Sequence, residues 1–147
     1  MTPHFSLEEV EHSNIAERMG IPNKLPPHLA ADALFTACSM EEVRRLLGKP
    51  IPISSWYRSP RLNSYIGGAK NSQHMLAQAV DFICPAFGTP YKVAEAIRNS
   101  NIQFDQLIYE YSWIHISFVA GRARRAVLTK QHSSKGYLHG LVDKKGR

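Results

Sequence analysis

The chain has 147 residues, of which 44% are hydrophobic and 10% aromatic, so it can bury the core of one domain of ordinary size. No apolar run approaches the roughly 20 residues that a membrane-spanning helix needs, and we expect no membrane span. The net charge of +6 lies at the C-terminal end, because ten basic and eleven acidic residues precede residue 121, whereas eight basic residues and one acidic residue follow.

The N-terminal residues have neither the basic start nor the apolar centre of a secretory signal, so we expect cytoplasmic synthesis without export by the usual route. A substrate outside the cytoplasm must then be reached after release. The two cysteines, Cys38 and Cys84, are too few for a disulfide framework and lack the close pairing of a zinc knuckle. We expect both to be small buried side chains.

Capping patterns predict helices in the first half of the chain. Ser6 and Glu9 form a capping box, and Asn14 and Glu17 repeat its spacing. A pair of prolines at residues 26–27 is typical of a helix start. A first helical segment is predicted to begin at Leu7 and to close at Gly20. A longer helix is predicted over residues 26–47, which Ser39 and Glu42 together could split in two, and shorter helices over residues 59–65 and 89–98.

Period-two patterns predict strands in the second half, over residues 51–57, 79–83, 106–111, 113–118 and 119–130. Helices that come first and strands that follow predict an α+β fold, with N-terminal helices packed on a small, mainly antiparallel sheet. From residue 131 onward the chain has no period that could bury a face. We therefore predict one domain over residues 1–130 and a loosely held basic tail over residues 131–147.

Two segments supply metal-binding side chains. Residues 72–81 place His74 in a loop and Asp81 on the following strand, and His115 lies on the strand over residues 113–118. Alternation turns His115 away from the core face, and Asp81 can share its open face if the two strands are neighbours. Two histidines and one carboxylate are the ligands of a catalytic zinc that keeps its fourth position open. A capping Asp81 and a half-buried structural His115 are the alternatives.

The motifs that carry these residues resemble the signature series of the zinc D-alanyl-D-alanine carboxypeptidase family. The resemblance runs in order from about Phe5 to Phe118, through residues 55–63, 67–69, 72–74, 79–81 and 113–117. This family shares its fold with the hedgehog signalling domain and includes phage and prophage cell-wall lysins. The resemblance implies the hedgehog/DD-peptidase fold and a Zn²⁺ cofactor.

The resemblance also implies a role for each matching residue. The zinc ligands are His74, Asp81 and His115. Glu110 matches the general base, with Asp105 as the fallback. Arg58 matches a residue that orients the substrate and stabilises the oxyanion, and Ser72 and Gln73 lie where the family contacts substrate. Glu110 as a surface residue and Arg58 as a structural ion-pair partner stay open as alternatives.

Two departures from the family pattern affect the site. Ala77 stands where the family usually has glycine, so we expect the backbone there to avoid a positive φ. The stretch from Glu110 to His115 is one residue shorter than in the phage-type pattern, which makes the angle of Glu110 toward the site an open question. We predict that the other histidines, His4, His12, His28, His132 and His139, are not ligands.

The implied function is hydrolysis of peptidoglycan stem peptides by a phage or prophage lysin that acts on the cell wall after release. Either a terminal D-Ala-D-Ala bond or an internal L-Ala-D-Glu bond would be cut. We expect a monomer with bacterial peptidoglycan as its partner and no specific nucleic acid. The alternatives are a non-catalytic zinc-containing binding module of the same fold, a virion-associated structural component, and a nucleic-acid-associated protein that uses the C-terminal arginines.

Overall fold

The computed structural model describes residues 1–130 and 136–143. The α-helices are α1 Leu7–Glu11, α2 Asn14–Met19, α3 Ala30–Leu47, α4 Pro60–Tyr65 and α5 Pro90–Arg98, and Pro27–Leu29 and Gln73–Leu76 are 3₁₀-helices. The strands are β1 Ile53–Ser55, β2 Ala79–Phe82, β3 Gln106–Tyr109, β4 Ile114–Ser117, β5 Ala126–Lys130 and β6 Tyr137–His139. Among the described residues, no helix combines the length and apolar composition needed to cross a bilayer.

All six strands belong to one sheet, in the order β1-β2-β4-β3-β5-β6. Every neighbouring pair is antiparallel except β3 and β5. The prediction of an α+β fold with a mainly antiparallel sheet is therefore confirmed. Because β4 lies between β2 and β3, the two segments that carry the predicted metal ligands are adjacent in the sheet.

The helix caps follow the sequence signals with two adjustments. The capping box of Ser6 and Glu9 begins α1 as predicted. The cap of α2 is Ser13 rather than Asn14, because the Ser13 side chain accepts a hydrogen bond from the Ala16 N–H. Helix α3 is not split at Ser39, whose hydroxyl donates to the Phe35 carbonyl one turn earlier and so stays within the helix.

The core lies between the sheet and two helices. Helices α3 and α5 supply buried apolar side chains, which belong to one cluster with the alternate residues of the central strands. The members from the strands are Val80, Phe82, Leu107, Tyr109, Ile114 and Ile116. Cys84 is buried as expected, but the expectation was wrong for Cys38, which lies on the exposed side of α3. With one face of the sheet covered, the other face is left for the site.

All five predicted strands are shorter than expected, and the differences are largest at β1 and β5. At β1, Trp56 and Tyr57 leave the sheet, since the Tyr57 N–H donates to the carbonyl of Val10 instead of a neighbouring strand. Strand β5 begins only after Arg125, which has a positive φ of 50°. The residue itself is anchored elsewhere, with its guanidinium donating to the carbonyls of Ile102 and Ser100. The chain therefore enters β5 from a fixed irregular segment.

The described part of the C-terminal segment is attached to the sheet, unlike the loose tail expected from residue 131 onward. Strand β6 pairs with β5. The Thr129 hydroxyl donates to the Gly140 carbonyl over 2.7 Å and accepts from the Val142 N–H over 2.9 Å. Leu141 also packs against the core. The local sequence pattern did not predict strand β6, because the formation of β6 depends on its pairing with β5.

Candidate metal centre and active site

Three side chains from separate elements meet on the open face of the sheet. His74 comes from the 3₁₀-helix Gln73–Leu76, Asp81 from β2 and His115 from β4. Asp81 and His115 are direct partners across the two strands. One ligand atom from each of the three lies within 4.8 Å of the others. The structure therefore brings together the three ligands expected from sequence.

His74 presents an unpartnered nitrogen to this cluster. Its Nδ1 lies 2.6 Å from the Trp56 carbonyl oxygen, which can only accept, so Nδ1 carries the proton. The Nε2 then has a lone pair, and it is buried without a hydrogen-bond partner. It lies 3.2 Å from Asp81 Oδ1, a second electron-rich atom. Such a pair is stable when a cation lies between the two atoms, which fits a metal site.

The protonation states of the cluster are those in which its side chains can bind a metal ion. Burial lowers the pKa of His74 despite the opposing effect of the Asp81 carboxylate, so the imidazole is neutral near pH 7. Burial alone would raise the pKa of Asp81, but its hydrogen bond with His115 holds the pKa below its usual range. His115 Nδ1 lies 3.0 Å from the same Asp81 Oδ1. The Asp81 carboxylate is therefore ionised at the centre of the cluster.

Arg58 holds the other oxygen of that carboxylate. Its Nη2 lies 3.5 Å from Asp81 Oδ2, while its Nη1 donates to Asn63 Oδ1 over 3.0 Å and its Nε to the Ser55 hydroxyl over 3.2 Å. Gly68 packs so closely here that a Cβ at that position would overlap the Asn63 side chain. The structural ion pair that was left open for Arg58 is therefore present. Arg58 also lines the pocket beside the ligands.

Glu110 directly follows β3 and also lines the pocket. The turn after it is tight, with the Ser112 N–H donating to the Glu110 carbonyl over 2.7 Å and Tyr111 at a positive φ of 63°. The Glu110 N–H donates to the Trp113 carbonyl, which closes the hairpin. Burial, reinforced by the charge of Asp81, raises the pKa of Glu110. The short spacing to His115 thus leaves the carboxyl group half-buried on the same side as the cluster.

Asp105 does not fit the fallback role of a base. Its side chain is fully buried, and Arg124 binds it through two 2.7 Å hydrogen bonds. Arg122 donates to it over 3.2 Å, and Gln73 Nε2 over 2.9 Å. The Arg124 hydrogen bonds hold the pKa of Asp105 well below its usual range. Asp105 is outside the pocket lining and anchors residues around it.

Ser72 and Gln73 both line the pocket, and both also shape the backbone that carries His74. The Ser72 hydroxyl accepts from the His74 N–H over 3.1 Å, which caps the 3₁₀-helix. The Gln73 amide nitrogen donates to Asp105. Because a carboxylate only accepts hydrogen bonds, this contact fixes which end of the Gln73 amide faces Asp105.

The expectation that Ala77 avoids a positive φ was wrong, since its φ is 58°. The Ala77 N–H donates to the His74 carbonyl, ending the 3₁₀-helix in a left-handed residue. Its carbonyl accepts from the Thr36 hydroxyl and from the Trp56 indole. These buried contacts offset the roughly 1–2 kcal/mol that a non-glycine residue costs in this conformation.

The pocket has a volume of about 470 Å³. Two of its lining residues, Lys130 and Tyr137, were missed from sequence. Because β5 pairs in parallel with β3, alternate residues of the two strands lie on the same face of the sheet. The alternation along β5 could therefore have predicted that Lys130 faces the pocket. Tyr137 lies in a segment whose sequence has no hydrophobic periodicity from which a strand could be predicted.

None of the remaining described histidines belongs to a metal-binding cluster within the described chain. His4, for example, pairs with Glu41 over 2.7 Å. That His4, His12, His28 and His139 are not ligands stays a prediction. His132 lies outside the described residues.

Two comparisons relate the chain to known proteins. The model of a family described as Peptidase M15 matches residues 3–117. A zinc D-Ala-D-Ala carboxypeptidase from Streptomyces albus G is 39% identical over 70 residues, which is 47% of this chain and 27% of that protein. The match thus spans about a quarter of that relative's length.

Proposed function

We propose, from the premise that the chain belongs to the peptidase M15 family, that it is a zinc-dependent peptidase acting on the stem peptides of bacterial peptidoglycan. The name of the Streptomyces relative supports both the metal and the substrate class. The residues assigned to hold Zn²⁺ are His74, Asp81 and His115.

One observation carries this proposal. The buried Nε2 of His74 lacks a partner and faces the ionised Asp81 beside His115, and this cluster lines an open pocket. Two imidazoles and one carboxylate are the three protein ligands of a catalytic zinc, which leaves a position for water or substrate. When bound, Zn²⁺ supplies Lewis acidity toward the scissile carbonyl and an acidified water.

The remaining pocket residues supply the protein's part of the reaction. Glu110 takes a proton from the attacking water and passes it to the leaving amine, a task suited to a carboxylate whose pKa lies above its ordinary value. Arg58 keeps Asp81 in place and faces the negative charge that develops on the substrate. Ser72 and Gln73 orient the peptide and the loop that carries His74.

The bond cut is either a terminal D-Ala-D-Ala bond or an internal L-Ala-D-Glu bond, and the wider role is that of a phage or prophage lysin. The basic C-terminal region supports an encounter with an anionic wall. Part of that positive charge is already paired inside the protein, since Arg122 and Arg124 form ion pairs with Asp105. Arg125 binds backbone carbonyls instead.

The test is incubation of the zinc-loaded protein with purified peptidoglycan, with and without a chelator, followed by mass analysis of the fragments. We expect chelator-sensitive release, with the fragment masses identifying the bond. A protein that binds one equivalent of zinc and releases no fragment, and whose muropeptide binding is unchanged in Glu110→Gln, would instead be the non-catalytic zinc-containing module. Clearing of permeabilised cells then tests the lysin role.

A further inference from the structure

The paired strands β5 and β6 add a wall to the pocket that lies beyond the residues matched by the family model. Lys130 and Tyr137 are direct partners across β5 and β6, and both line the pocket. The family match ends at residue 117. This wall is therefore a feature of this chain that the family assignment does not explain.

Lys130 differs from Arg58 in the partners it has. Arg58 uses Nε, Nη1 and Nη2 on Ser55, Asn63 and Asp81. The Lys130 ammonium instead lies 5.0 Å from the centroid of the Tyr137 ring. No carboxylate of the described chain forms an ion pair with it, although Glu110 is near enough for the charge of Lys130 to lower the Glu110 pKa. A cation held over an aromatic ring keeps hydrogens available for an anionic group.

The position of Lys130 would place an anionic group bound to it close to the scissile peptide bond. Strand β5 runs parallel to β3, with Tyr109 beside Thr129, so the next residues along the two strands, Glu110 and Lys130, are neighbours. Adjacent strands lie about 4.8 Å apart. A carboxylate held by Lys130 would thus lie next to the peptide bond presented to Glu110.

We propose that Lys130 and Tyr137 form a subsite that binds a carboxylate of the substrate beside the scissile bond. This subsite selects peptides that carry a free carboxylate over peptides in which the same group is amidated. The inference rests on the proposed peptidase function and names its specificity determinant. The carboxylate can be the C-terminal one of the peptide or the free carboxylate of its glutamate residue, and the two sources are separable by experiment.

The experiment uses synthetic stem peptides in matched pairs, one pair with a free or amidated C-terminus and one with a free or amidated glutamate carboxylate. The kcat and KM of the zinc-loaded protein are measured for Lys130→Met, Lys130→Arg and Tyr137→Leu. The matched control is Lys92→Met, at an exposed position of α5 outside the pocket. Melting temperatures of all variants establish that they are folded.

We expect Lys130→Met to raise the KM for one free-carboxylate peptide about tenfold or more. The KM for the amidated form of the same peptide should stay nearly unchanged. Lys130→Arg should largely restore the preference, and Tyr137→Leu should weaken it by a smaller factor. The pair that loses its preference identifies the carboxylate. Equal losses on free and amidated peptides, or a Lys130→Met variant that matches Lys92→Met, would overturn the subsite.

A binding measurement separates this inference from the proposed function. Dissociation constants of the same peptides are measured by calorimetry on zinc-loaded Glu110→Gln, with and without Lys130→Met. Weaker binding of one free-carboxylate peptide in the double variant supports the subsite even if no peptide is hydrolysed. If the wild-type protein cuts none of the peptides, the peptidase proposal fails on its own. Equal binding of free and amidated peptides refutes the subsite.

Discussion

The Nδ1 of His74 lies 2.6 Å from the carbonyl oxygen of Trp56, and this hydrogen bond turns the unprotonated Nε2 toward Asp81. Trp56 is itself fully buried, and its indole donates to Ala77 at the end of the same 3₁₀-helix. The ring of His74 is thus fixed in orientation and tautomer by the fold before any ligand arrives.

Removing His74 should therefore abolish metal binding. For His74→Ala we expect less than one-tenth of the wild-type zinc content after dialysis and no peptidase activity, because two ligands do not hold Zn²⁺ tightly. Chelator should lower the melting temperature of the wild-type protein and leave that of His74→Ala nearly unchanged. Metal analysis and thermal unfolding check this, with the exposed His28→Ala as control. A zinc content near one in His74→Ala would contradict the assignment.

Replacing Glu110 should remove catalysis while leaving the metal in place. We expect Glu110→Gln to lower kcat by about 10²- to 10⁴-fold, the usual contribution of a general base, with an unchanged zinc content. The variant keeps the size and hydrogen-bonding capacity of the side chain. Glu8→Gln, at an exposed position of α1, is the matched control. A kcat within twofold of wild type would show that another group moves the proton.

Asp105 should stabilise the fold in a pH-dependent manner. Its folded pKa lies well below the unfolded value of about 3.9, so its contribution is complete above pH 4 and is lost as the pH falls through the folded value. We expect Asp105→Asn to cost about 2 kcal/mol in the free energy of unfolding at pH 7. The difference from wild type should shrink below pH 4. Denaturant unfolding at several pH values measures both effects.

The control for Asp105 is Asp32→Asn, since the described residues give Asp32 a hydrogen bond from Gln78 but no arginine partner. A constant difference between Asp105→Asn and wild type from pH 7 to pH 2 would contradict the assigned ion pair. Because Asp105 also binds Gln73, the variant should raise KM for the peptide as well.

Gly68→Ala should disturb the site through Arg58. A Cβ at residue 68 would overlap Asn63 and approach Arg58 Nη1 to 3.0 Å, so the Asn63 side chain that accepts from Arg58 must shift. Small displacements of positioning groups cost up to about 10²-fold in rate. We expect kcat/KM to fall by about tenfold or more with zinc content retained. Steady-state kinetics and metal analysis check this.

Gly67→Ala separates this steric effect from backbone strain. Gly67 has a φ of 71° with open space where a Cβ would lie, so alanine there costs about 1 kcal/mol of stability without touching Asn63. Equal activity losses in the two variants would argue against the role assigned to Asn63.

The sequence by itself identified the three candidate ligands and the faces of the strands. Alternation along residues 113–118 puts His115 opposite the buried Ile114 and Ile116, whatever the strands pair with. The capping box at Ser6 likewise depends on neighbours three residues apart. Such features were readable because their physical causes are local.

Only the tertiary structure decided what depends on distant partners. The positive φ of Ala77 is held by Thr36 and Trp56, and Asp105 left the catalytic candidates because arginines from beyond β4 reach it. Strand β6, and with it Tyr137 in the pocket, exists because β5 offers a free edge. Pairing, burial and charge neutralisation arise between residues far apart in the chain, so no short-range pattern encodes them.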